Sequence, residues 1–81
     1  MTRTAHTVTG TINLIRRRLG EKDHNRALQL CAGLAQAPMS GEERGELLHL
    51  QGLALWLAED RERALKSLGL AVAIDPTRAV V

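Results

Sequence analysis

"DRERALKSLGLAVAIDP", residues 60–76, reads as one amphipathic helix with a marked start and a marked stop. Asp60 supplies the short acceptor side chain that caps a helix N-terminus. Pro76 lacks an amide hydrogen and restricts Asp75 before it, so the helix ends near Ile74. Between these signals Ala64, Leu65, Leu68, Ala71 and Val72 recur at three- and four-residue intervals as one stripe, with Leu70 and Ile74 off it. The start of this stretch occurs twice. "DHNRAL" at residues 23–28 has Asp, Arg, Ala and Leu at the places they take in "DRERAL", 37 residues earlier.

Working outward, Asp23 caps a second helix of the same kind, in which Ala27, Leu28, Cys31, Leu34 and Ala35 follow helical spacing as far as Ala37-Pro38. Ahead of it, Ile12, Leu14, Ile15 and Leu19 predict a short first helix closed by Gly20, after a Thr-rich, frayed start over residues 1–10. Ser40 with Glu43 three residues on is the signature of a reciprocal N-terminal cap, opening a helix that runs to about Ala58. No alternating β-branched run and no Asn-Gly or Asp-Gly pair signals a strand or a hairpin turn. The expectation is an all-α fold: one small domain over residues 1–81, built from two antiparallel helix hairpins, 11–37 and 41–76, stacked side by side.

Composition narrows the possibilities. Apolar residues make up 44% of the chain and charged ones 25%, which is ordinary globular usage and argues against disorder. With one Trp and neither Phe nor Tyr, the core has to be packed from aliphatic side chains. Eleven Lys and Arg face nine Asp and Glu, and the two signs are interspersed, so there is no concentrated basic footprint for nucleic acid. The single cysteine, Cys31, has no partner within the chain and points to a reducing compartment, the cytoplasm. The N-terminal segment has no apolar core of the kind a signal peptide carries, and no apolar run approaches the ~18 residues of a membrane span.

The second hairpin resembles the tetratricopeptide repeat, a helix-turn-helix unit of about 34 residues. Leu48, Gln51, Gly52 and Leu55 stand in the positions of its first-helix pattern, Ala64, Leu68 and Ala71 in those of its second, and Pro76 closes the unit. Leucine takes every aromatic place of the family pattern, and Gln51 a usual leucine. The first hairpin keeps Ala27 but has Ile15 for the glycine and Cys31 for an aromatic. In this family the first helix of each hairpin forms the ligand-facing surface. The resemblance therefore implies Glu46, His49, Leu53 and Trp56 in the second unit, and Ile12, Arg16 and Leu19 in the first. Helical spacing independently puts Glu46, His49, Leu53 and Trp56 on one face. Repeats that clamp a terminal carboxylate carry lysines and asparagines there, which this chain does not. Trp56 either lines the groove or fills the space between hairpins.

Arrays of such units need roughly three repeats and a polar cap, because one unit cannot bury its apolar face alone. Two units without an evident cap imply an uncovered apolar surface, with Leu70 among its exposed groups. The three arginines at 16–18 fan out around a helix axis and read as a solvated face. His6, His24 and His49 show no metal-ligand spacing, and no base is placed beside Cys31. These features describe a non-catalytic protein-protein interaction module, adaptor or chaperone-like, that takes an apolar or amphipathic segment of a protein partner and needs no cofactor or metal. Its alternatives are a self-associating scaffold whose fourth helices pack as a homo-oligomer, an accessory piece of a larger enzyme or secretion assembly, and, more remotely, a helix-turn-helix DNA binder.

Overall fold

Asp23 and Asp60 each turn a carboxylate oxygen onto the backbone amide three residues on, 3.2 Å from Arg26 and 3.3 Å from Arg63. Those caps start two of the helices in the computed structural model of the chain, which describes residues 3–76, with side chains from Val8 onward. The fold is all-α: α1 spans Arg3–Gly20, α2 His24–Leu34, α3 Gly41–Leu57 and α4 Arg61–Ile74, with no strand among the described residues. At the head of α3 the reciprocal cap forms as the spacing predicts. The Ser40 hydroxyl accepts from the Glu43 amide at 3.1 Å, and the Glu43 carboxylate accepts from the Ser40 amide at 2.9 Å.

The repeat in sequence is also a repeat in backbone geometry. Lys22 and Glu59, 37 residues apart, both adopt the left-handed region, at φ 61° and 65°. Their amides donate to Leu19 at 2.9 Å and Trp56 at 3.0 Å, and the next amides, of Asp23 and Asp60, reach back to Arg18 and Leu55 at 2.9 Å each. The capping aspartates match as well, with φ/ψ of −93°/73° and −95°/73°. This is the C-terminal closure usually given to glycine, which takes a positive φ without a Cβ penalty. Here two long polar residues hold it instead.

Helix α1 begins earlier than expected. Residues 3–10 lie in the helix, and Val8 is buried, so the stripe of Ile12, Ile15 and Leu19 extends one turn back. The Thr-rich composition hid that turn. Val8, Ile12 and Ile15 of α1 join Ala27, Cys31 and Leu34 of α2 and Leu47, Leu50 and Ala54 of α3 in one core, with Leu19, Leu28 and Leu30 packed at its edge.

Helix α3 touches each of the other three helices, whereas α4 packs on α3 alone among the described residues. The α3–α4 pair makes the more extensive contact of the two hairpins, and it is closely packed at residue 52. A Cβ placed on Gly52 would fall 2.6 Å from Cγ and Cδ2 of Leu68 and 3.3 Å from the carbonyl oxygen of Ala64. At the equivalent place in the first hairpin stands Ile15, 0% exposed, a branched side chain where the second pair has none. The Ser67 hydroxyl, itself buried, donates across the close pair to the Leu48 carbonyl at 2.8 Å. The expected stripe of α4 consequently splits. Ala64, Ser67 and Ala71 face α3, while Leu65 and Val72 turn to solvent.

Gly52→Ala should therefore destabilise the protein by about 1–3 kcal/mol, since Leu68 and the α4 backbone must both give way. Glu59→Gly should act oppositely, stabilising by up to ~1 kcal/mol by relieving the left-handed strain. Urea unfolding of the two variants beside the parent measures both signs.

Candidate functional site

Four residues on one side of α3, at spacings of three, four and three, form the face on which the site is built. Glu46 and His49 are half-buried, and Leu53 and Trp56 are exposed. Leu57, four residues after Leu53 and also exposed, widens the apolar end of the face. Trp56 is 48% exposed and therefore lies on the surface, not in the core between the hairpins. The Arg61 guanidinium sits 5.4 Å from its ring centroid. Such a cation over an indole holds the ring in place by roughly 0.5–1 kcal/mol at an exposed site.

At the other end of the face, α1 and α3 approach across an open cleft of about 380 Å³. Thr9, Ile12, Asn13 and Arg16 line it from α1, and Ser40, Glu42, Glu43 and Glu46 from the start of α3. The Arg16 guanidinium bridges to the Glu46 carboxylate and also donates to the Asn13 side chain at 3.1 Å. Arg16 of α1 and Glu46 of α3 thus meet across the cleft. Ile12 is corrected: at 6% exposure it belongs to the core and shows only an edge to the cleft, because α1 rests this stripe against α2 and α3. Leu19 likewise packs at the core margin.

Leu70 is exposed but lies elsewhere. It borders a shallow pocket of about 190 Å³ with Leu48, Gln51, Leu55, Arg63, Lys66 and Ser67, on the side of the α3–α4 hairpin away from Trp56. Of the arginine run, Arg16 faces α3, Arg18 pairs with Glu21 at 2.6 Å and Arg17 is exposed, so the three do diverge. The side chain of His6 lies outside the described residues. Arg44 was not singled out by its spacing. Its guanidinium takes the carbonyls of Ala35 and Ala37 at 2.9 and 3.2 Å, fastening the end of α2 to α3.

Cys31 is buried in the core, and that burial pushes its thiol from 9.0 up to about 11. The neutral thiol is a packing group, since the thiolate is the nucleophile. No three His, Cys, Asp or Glu side chains gather into a metal-binding group among the described residues, and none of the described helices is long and apolar enough to cross a membrane. Compared with known proteins, the chain matches no family model, no curated protein and no solved structure.

The Cys31 shift has a defined sign. The unfolded thiol releases its proton from about 9.0, whereas the folded one keeps it to about 11. The native state thus binds more protons across that window, and stability falls as pH rises through it. Against Cys31→Ala, the parent should lose on the order of 2 kcal/mol between those limits, read by urea unfolding at a series of alkaline pH values.

Proposed function

We propose that this chain is a non-catalytic interaction module with two tetratricopeptide-like hairpins, which binds an amphipathic segment of a partner protein along the outer face of α3. The observation that carries this reading is the exposure of Trp56 beside Leu53 and Leu57 on a single helical face. Tryptophan and its apolar neighbours, held on a rigid helix, are the kind of group that anchors protein interfaces. The 37-residue duplication, including the matched turns at Lys22 and Glu59, supports the repeat reading.

The face is graded along its length, and the gradation describes the ligand. Over Leu53, Trp56 and Leu57 the segment presents apolar side chains. Toward the cleft it presents a basic group, received by the excess of carboxylates there, Glu42, Glu43 and Glu46 against the one guanidinium of Arg16. A helix laid in this way uses its apolar stripe for affinity and its charged end for register. An adaptor or a chaperone that shields an apolar client helix would use such a face, in a reducing compartment such as the cytoplasm, where Cys31 remains a thiol.

A titration with a synthetic helical peptide carrying a leucine stripe and a basic end tests this directly, because Trp56 is the sole aromatic residue and reports its own environment. Binding should shift its emission to the blue. For the variant, binding has to be followed by calorimetry, and Trp56→Ala should weaken it at least tenfold, the loss of an anchor worth more than ~1.4 kcal/mol. Helical circular dichroism should stay unchanged, since the ring is not part of the core. Equal affinity of parent and variant would refute the assignment.

A further inference from the structure

We infer that two copies of this chain associate about a two-fold axis through the outer face of α4, the face that carries Leu65, Gly69 and Val72. The surface adjoins the α3 face, since Arg61, one turn before Leu65, lies over Trp56, and its occupant follows from the internal repeat.

Helix α2 has two helical neighbours, α1 and α3, whereas its counterpart α4 has only α3 among the described residues. The missing neighbour leaves a visible trace. Leu28 of α2 packs against the core, while Leu65, 37 residues later, is 62% exposed. Cys31 is buried, while its counterpart Leu68 is only half-buried. The side of α4 that corresponds to the α3-covered side of α2 is apolar and open, so a helix would fit it as α3 fits α2.

The opposite end of the molecule decides which helix this is. If copies stacked head to tail, α1 of the next copy would have to seat on α4 as α3 seats on α2. Helix α3 makes that contact with Leu47, Leu50 and Ala54, and the equivalent residues of α1 are Gly10, Asn13 and Arg17, all exposed. That face is polar and solvated. Open-ended stacking is thereby disfavoured, and the apolar end of one copy is left to meet the apolar end of another, which is an isologous contact.

The seam on α4 is complementary to itself when run antiparallel. Centred on Gly69, the pairing sets Leu65 of each copy against Val72 and Ala73 of the other, a large side chain over small ones. Among the described residues nothing packs on Gly69, since a Cβ placed there meets nothing within 4 Å, yet glycine inside a helix costs about 1 kcal/mol relative to alanine. A close crossing of two α4 backbones gives it one.

Two helical turns bury a modest area, so the dimer forms with rising concentration. Sedimentation equilibrium from micromolar to millimolar protein should show the mass climbing from one chain toward two. Leu65→Glu should hold it at one chain throughout, with helical circular dichroism intact. Leu70→Glu, on the opposite side of α4, should leave the association unchanged. Gly69→Ala should raise the thermal stability of the dilute monomer and yet weaken the dimer. A single-chain mass at millimolar protein, association that survives Leu65→Glu, loss of association in Leu70→Glu, or a dimer unweakened by Gly69→Ala would each overturn the inference. The measurement needs no partner peptide and leaves Trp56 in place, so its failure is distinguishable from a failure of peptide binding on α3.

Discussion

Everything in this fold leans on α3, which is buried on two sides at once. Toward the first hairpin it offers Leu47, Leu50 and Ala54, and toward α4 it offers Gly52 and Leu55. The second contact works because residue 52 has no side chain: Leu68 and the Ala64 carbonyl occupy the volume that a methyl group would need. That close approach also brings Ser67 within 2.8 Å of the Leu48 carbonyl, so a buried hydroxyl is satisfied by α3 and not left without a partner. A helix wedged between two neighbours keeps only a narrow outer strip, and that strip carries the candidate site. Glu46, His49, Leu53 and Trp56 are where they are because Leu47, Leu50, Gly52, Ala54 and Leu55 leave no other direction for them.

The starts of α2, α3 and α4 are legible in the sequence because the chemistry that sets them is local. A cap needs an acceptor and an amide three residues on, and Asp23, Ser40 and Asp60 provide it within their own segments. The duplication is legible for the same reason, and the backbone repeats it down to the dihedral angles of the turns. Fates that depend on what packs where are not legible. Stripe logic puts Leu65 and Val72 with the buried side of α4, but with α3 as its one neighbour among the described residues only the line of Ala64, Ser67 and Ala71 is covered. Ile12 has the spacing of a groove residue and the environment of a core residue, a distinction that arises only once α2 and α3 close around α1. Arg44 gives no signal at all, because its two carbonyl partners come from the end of another helix.

Of the candidate site, the α3 half could be read directly, since residues of one helix at spacings of three and four must share a face. The cross-helix half rested on the repeat resemblance and not on spacing, because the meeting of Arg16 with Glu46 depends on how α1 packs on α3. Arg61 over Trp56 was not visible in the sequence, because it depends on how tightly the turn through Glu59 brings α4 back along α3. A looser turn would leave the indole unsupported. The left-handed strain at Glu59 thus belongs to the site as well as to the fold, since the turn that imposes it also seats the cation on the ring.

The two ends of the molecule differ for a reason that reaches back to composition. A small domain exposes a large share of its residues, and a chain whose apolar residues are almost all aliphatic has few wide side chains with which to cover an open flank. The first hairpin meets this by turning Gly10, Asn13 and Arg17 outward, so water is an adequate neighbour for α1. At the same positions the second unit has Leu47, Leu50 and Ala54, which face a hairpin that is present. No such polar substitution is made along α4, where Leu65 and Val72 keep the pattern of an interior helix in an exterior place. Exposed leucine is common enough singly, but here Leu65 shares its face with Val72, beside a glycine that no contact among the described residues requires. A polar end and an apolar end on one small molecule allow growth in one direction and then stop it, which favours a closed pair over an extended array.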